Sequence, residues 1–101
     1  MDREVVWSKG SIDDIERILE YLQQGSLRYA QTFLLLTRKS AVNLQQFPYK
    51  GRVVPEFDSH TIREVFIDSY RMIYQVTNTN IQILTIIHSA RNLSDLINPI
   101  L

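Results

Sequence analysis

From Ile62 to Arg91 the chain reads IREVFIDSYRMIYQVTNTNIQILTIIHSAR, and its side chains follow the period of two that a β-strand imposes. Met72, Tyr74 and Val76 alternate with Arg71, Ile73 and Gln75, and Ile81, Ile83 and Thr85 alternate with Gln82, Leu84 and Ile86, in residue types that suit strands. Between the runs lies Thr77-Asn78-Thr79-Asn80, a cluster of turn formers. With Asn78 and Thr79 as a two-residue loop, Thr77 faces Asn80, Val76 faces Ile81, Gln75 faces Gln82, Tyr74 faces Ile83 and Arg71 faces Ile86. One side of this hairpin carries Met72, Tyr74, Val76, Ile81 and Ile83 and is a core face. The other carries Arg71, Gln75, Gln82 and His88, interleaved with Ile73, Leu84 and Ile86, which is apolar enough in so small a protein to call for a cover. A preceding strand over 62–67 completes a meander. Arg63 joins the polar face if the turn has three residues, 68–70, and points the other way if it has two.

Composition bounds what can surround this meander. At 101 residues the chain is a single domain spanning 1–101. Eleven basic and eleven acidic side chains balance to a formal net charge of zero, so no overall field draws the chain to nucleic acid or to a membrane. The absence of cysteine excludes disulfides and thiolate chemistry and fits a cytoplasmic protein. The start, MDREVVWSKG, lacks the apolar run of a signal peptide, and the longest purely aliphatic run, Leu34 to Leu36, is far too short to span a membrane. No zinc motif, glycine-rich phosphate loop or serine-histidine-acid set is present, and no metal or cofactor is expected.

Ahead of the meander the pattern predicts a strand over 4–8, anchored by Trp7 and ended by Lys9-Gly10, and then two helices. Ser11, with Asp14 three residues on, reads as the cap of a first helix over 11–24, with Asp13 and Asp14 at its positive end and Gly25 at its C-terminus. Ser26 caps a second helix in which Ala30, Phe33, Leu34, Thr37, Ala41 and Leu44 recur every three or four residues until Phe47-Pro48 stops it. So short a connection folds the two helices into an antiparallel hairpin with its apolar stripes toward the sheet. A loop follows, Tyr49 to Asp58, and an irregular tail runs from Leu93 to Leu101, whose Ile97, Ile100 and Leu101 are expected to pack. The order is β-α-α-β-β-β.

Four segments taken together, Gly51-Arg52-Val53-Val54-Pro55-Glu56, Ile62-Arg63-Glu64, Ser69 to Tyr74 and Ile87 to Leu93, resemble the ParE branch of the RelE/ParE toxin superfamily of type II toxin-antitoxin modules. The resemblance covers about residues 3–97. It implies an α+β fold, a helical hairpin packed on a small, mainly antiparallel four-stranded sheet. It also implies a cognate antitoxin whose C-terminal segment wraps around the toxin, and assemblies in which such complexes pair further. ParE-like members are associated with poisoning DNA gyrase, and RelE-like members with cutting messenger RNA on the ribosome.

RelE-type cleavage rests on basic side chains of the open sheet face and a tyrosine near the C-terminus. Arg71 matches the arginine that follows tyrosine in the strand, and Arg63 matches one of two basic positions, whose companion here is Val65. Arg91 lies where the family carries a basic residue after the last strand, but Ser94, Asp95, Leu96 and Ile97 stand where the tyrosine belongs. Ser89 replaces the usual glycine and Asn92 the usual aspartate, which removes a natural carboxylate partner for Arg91 or Arg71.

The resemblance therefore points to a non-hydrolytic growth inhibitor of ParE type aimed at DNA gyrase. The alternatives are a metal-independent messenger endoribonuclease acting through Arg63, Arg71 and Arg91, and a degenerate toxin that binds antitoxin alone. Contact residues for target or partner are sought among Arg63, Arg71, Ile73, Gln75, Gln82, Leu84, His88 and Arg91. Each has a plainer reading. His88 suits a structural histidine bonded to backbone, and Arg71 a solvated arginine covering apolar surface.

Overall fold

A computed structural model describes residues 2–93, so the expected packing of Ile97, Ile100 and Leu101 and the Ser94 to Ile97 positions lie outside the described residues. The chain runs β1 (Glu4–Trp7), α1 (Lys9–Gly25), α2 (Leu27–Gln46), β2 (Arg52–Val53), β3 (Ile62–Ile67), β4 (Tyr70–Val76) and β5 (Asn80–His88). The strands form one sheet in the order β1-β5-β4-β3-β2, with β1 parallel to β5 and the other pairs antiparallel. The α+β architecture is as expected. The fifth strand is the two-residue β2, inside what the sequence presents as a loop.

Both helices pack on one face of the sheet. Ile18 of α1 and Phe33, Ala41 and Leu44 of α2 meet Ile67, Met72, Tyr74, Val76, Ile81, Ile83 and Ile86 in the main core. Ser26 serves both helices, donating its N–H to the Leu22 carbonyl and accepting from the Tyr29 N–H through its hydroxyl. That double use explains so tight a hairpin. Gly25 is the last residue of α1 rather than its cap.

The start of α1 differs from the expectation. Ser8, not Ser11, is the cap: its hydroxyl accepts from the Ser11 N–H at 3.0 Å, and the helix begins at Lys9. Ser11 is buried inside the first turn and donates its own hydroxyl to the Ser8 carbonyl. Asp14 is not a capping residue. Its Oδ2 accepts from the Thr85 hydroxyl at 2.5 Å and from the Ile86 N–H at 3.1 Å, while Asp13 pairs with Lys9.

Those bonds from α1 land on a β-bulge. Near the turn the register is the expected one, with Val76 opposite Ile81, Gln75 opposite Gln82 and Tyr74 opposite Ile83. Ile73 then pairs with Thr85, which leaves Leu84 as the extra residue, so Arg71 faces Ile87 rather than Ile86. The Leu84 carbonyl accepts from the Ser8 hydroxyl, so α1 takes up backbone groups on both sides of the irregularity. The bulge turns Ile86 into the helix-side core and brings His88 opposite Tyr70. At the other hairpin Ile67 pairs with Tyr70 across a two-residue turn at Asp68-Ser69, with Asp68 at φ 54°. Arg63 therefore pairs with Tyr74, on the opposite side from Arg71.

Because one carboxylate ties α1 to the bulge, Asp14→Ala should strand the Thr85 hydroxyl and the Ile86 amide and destabilise the fold by about 1–3 kcal/mol. Urea unfolding checks this. A midpoint unchanged from the parent would show that the bulge does not depend on α1.

Candidate functional site

The sheet face turned away from the helices is largely closed by the chain itself. By strand alternation it holds Ile62, Glu64 and Phe66 of β3, Arg71, Ile73 and Gln75 of β4, and Gln82, Leu84 and Ile87 of β5. Val54 and Phe57, from the loop after β2, and Leu93, beyond β5, pack on Ile62, Ile73, Leu84 and Ile87 as a second apolar cluster. Ile73 and Val54 have no exposed surface. The cover expected from another protein is thus supplied here by the loop and by Leu93. Gln75 and Gln82 sit half-buried at the margin.

Arg71 holds this cover in place. It is only 4% exposed, and its guanidinium grips the Glu56 carboxylate at both oxygens, Nη1 to Oε1 at 3.1 Å and Nη2 to Oε2 at 2.8 Å. Nη2 also donates to the Arg91 carbonyl, and Glu56 Oε2 accepts from the Leu93 N–H at 3.0 Å. On the other side Nη1 lies 3.0 Å from Oε1 of the buried Glu64, whose Oε2 takes Arg52 Nε at 2.5 Å. The Nη1–Glu64 approach is a charge contact without hydrogen-bond alignment, and Arg71 Nε finds no partner among the described residues. The Arg71 bonds hold the Glu56 carboxyl down to about 2, against a burial effect in the opposite direction. Arg71 is correspondingly held in its charged form, chiefly by Glu56.

Both replace the carboxylate partner that Asn92, standing where the family carries aspartate, does not supply to Arg71. The two-residue turn was the available signal, because it puts Glu64 on the Arg71 face. Glu56, fifteen residues before Arg71, has no such local signature.

The remaining candidates are dispersed. Arg63 is tied to the loops beside β3: it donates to the Gly51 carbonyl at 3.0 Å and to the His60 carbonyl at 2.8 Å, and lies over the Tyr49 ring, itself stacked on His60. Gly51 must be glycine there, since a Cβ would come within 2.5 Å of the Glu64 carbonyl oxygen. His88 is exposed, meets the Tyr70 ring edge-on at 5.6 Å, and accepts the Ala90 N–H at Nδ1. Burial also pushes the Tyr70 hydroxyl above its ordinary value. Arg91 is exposed. The three arginines expected to act together, Arg63, Arg71 and Arg91, do not converge on one point: Arg63 and Arg71 are on opposite faces, and only the Arg91 carbonyl touches Arg71.

A groove of about 750 Å³ lies between the C-terminal half of α2 and the β2–β3 edge, lined by Lys39, Val42, Lys50, Arg52, Val65 and Phe66 among others. Val42 is 62% and Phe66 52% exposed, and Arg52 lies 5.0 Å over the Phe66 ring. β2 ends opposite Glu64, and the Glu64 carbonyl faces that side, so alternation turns the Phe66 amide outward past the end of β2. Among the described residues no group of acidic, histidine or cysteine side chains could hold a metal, and no helix is long and apolar enough to cross a membrane.

A helical hairpin on a sheet of this order is a fold shared with solved toxin-antitoxin structures. The chromosomal ParDE system from P. aeruginosa matches with a TM-score of 0.69 at 19% identity, over 85% of this chain and 95% of that one. The RelBE2 complex from Mycobacterium tuberculosis matches with a TM-score of 0.62 at 15% identity, over 87% and 99%. The family described as ParE toxin of type II toxin-antitoxin system, parDE, matches residues 5–93. Toxin RelE2 of Caulobacter vibrioides is 32% identical over 89 residues, covering 87% of this chain and 97% of the relative. The chain belongs to the ParE toxin family of type II toxin-antitoxin systems.

Two outcomes follow from the Arg71 clamp. Arg71→Ala should cost about 3–5 kcal/mol in urea unfolding, because it leaves the buried Glu64 and the anchoring Glu56 unpaired; a loss under about 1 kcal/mol would mean that the pair is dispensable. Glu56 has a lowered folded value, so its contribution is complete above about pH 4.5 and is lost as the pH falls toward about 2. Glu56→Gln should therefore lower stability at neutral pH and flatten the acid limb of the stability curve between those values.

Proposed function

We propose that this protein is a growth-inhibiting toxin that acts by binding, with DNA gyrase as its target, and that a co-encoded antitoxin polypeptide neutralises it. The observation that carries the non-hydrolytic reading is the commitment of Arg71. A phosphate-stabilising arginine must present its N–H fork to the scissile group. Here the fork is occupied by Glu56 and Glu64 beneath the chain's own loop. Arg63 is equally engaged, with Gly51 and His60, and net charge zero gives no general attraction for RNA.

The groove between α2 and the β2–β3 edge supports the antitoxin as partner. It offers exposed Val42 and Phe66 for apolar side chains, an outward strand amide for an added strand, and the positive Lys39 and Lys50 for acidic residues. The 32% identity to a protein named toxin RelE2 favours a second reading, a ribosome-dependent messenger endoribonuclease.

A gyrase supercoiling assay run beside a cleavage assay on ribosome-bound messenger separates the two. Inhibited supercoiling with intact messenger is the expected result, and cut messenger with unaffected gyrase would replace this reading with the second. For the partner surface, Phe66→Glu should weaken binding of the co-encoded antitoxin at least about tenfold, since central apolar anchors carry most interface energy. Unchanged affinity, measured by calorimetry, would move the antitoxin elsewhere.

A further inference from the structure

A second cleft, of about 350 Å³, opens at the edge of β5 beyond its pairing with β1, where α1 meets the end of the strand. Its basic groups are Arg17, His88 and Arg91, and its one acidic group is Asp14. Asp14 is already spent: one carboxylate oxygen takes Arg17, and the other takes the Thr85 hydroxyl and the Ile86 amide. Arg91 brings a further positive charge that no carboxylate among the described residues offsets. With the His88 Nδ1 accepting from the Ala90 N–H, the ring's donor is the N–H at Nε2, which meets no acceptor among the described residues. The lining therefore combines the Arg91 cation, unpaired among the described residues, the imidazole N–H of His88 and the outer N–H groups of a second arginine. The apolar walls are Ile18, Leu84 and Tyr70.

We propose that this cleft is a carboxylate-binding site that receives one acidic side chain of a partner polypeptide, with the neighbouring aliphatic residue of that partner against the walls. Charge selects the ligand class. A carboxylate carries one negative charge and matches the Arg91 charge that no described carboxylate pairs, whereas a phosphate dianion would place two negative charges beside Asp14. The donors also suit a planar two-oxygen acceptor, since an arginine fork takes a carboxylate in bidentate fashion and His88 can hold it from the side. This site is separate from the groove at the β2–β3 edge. It stands whether or not the partner is an antitoxin.

The test uses the full chain with nitrogen-15 in its arginine and histidine side chains. The probes are acetyl-Leu-Glu-Leu-amide, the same peptide with glutamine in place of glutamate, and inorganic phosphate. The glutamate peptide should shift the His88 and Arg91 side-chain resonances and bind at least about tenfold more tightly than the glutamine peptide, the equivalent of one charge-assisted contact. Arg91→Gln should remove that preference while leaving the backbone amide spectrum of the sheet unchanged, which separates lost binding from lost folding. Equal shifts with both peptides would overturn the site. Tighter binding of phosphate than of the glutamate peptide would reassign it to a phosphate ligand and defeat the carboxylate reading.

Discussion

The contact between Arg71 and its two carboxylates organises the side of the molecule that faces away from the helices. One guanidinium joins β4 to the loop through Glu56, to β3 through Glu64 and to the segment after β5 through the Arg91 carbonyl. Removing charges from water is expensive, and the arrangement is stable only because each charge is paired and most of the hydrogen-bonding capacity is filled. Its result is a seal: Val54, Phe57 and Leu93 lie over Ile73 and Ile87, and an aliphatic sheet face that would otherwise meet water becomes a second small core. A residue type associated with phosphate chemistry is used here to close a surface.

The opposite face depends on a different exchange of bonds. The bulge at Leu84 interrupts the β4–β5 ladder, and the start of α1 takes up neighbouring backbone groups, the Leu84 carbonyl through Ser8 and the Ile86 amide through Asp14. The bulge sends Ile86 into the main core and places His88 beside Tyr70 rather than among the residues of the Arg71 face. Helix capping and strand register are thus one constraint, carried by two polar side chains.

What was legible in the sequence follows the range of the forces involved. Local periodicity and turn chemistry gave the helical hairpin, the Ser26 cap and the register from Tyr74 to Ile83, because each depends on neighbours in the chain. Ser8 and Ser11 are both sound capping residues by type, and only the packing of α1 against β5 distinguishes them. The bulge leaves no mark in the alternation of Ile81 to Ile87, where nearly every residue is apolar or β-branched. The candidate site was least legible. Arg71 was found, but its partners Glu56 and Glu64 come from different elements and meet it only once the turn at Asp68-Ser69 has fixed which residues share its face. Exposure misled in the same way, since an aliphatic stripe such as Ile73 and Ile87 reads alike whether a partner or the chain's own loop covers it.

The central claim is that the Arg71 guanidinium is a closed structural joint rather than a phosphate-binding group. Nitrogen-15 spectra of the arginine side chains test this most directly. The account predicts that the Arg71 guanidinium protons exchange slowly with water at neutral pH, resolve as a rotationally restrained group and do not move when an RNA oligonucleotide is added. Exchange as fast as that of an exposed arginine such as Arg28, together with RNA-induced shifts at Arg71, would contradict it.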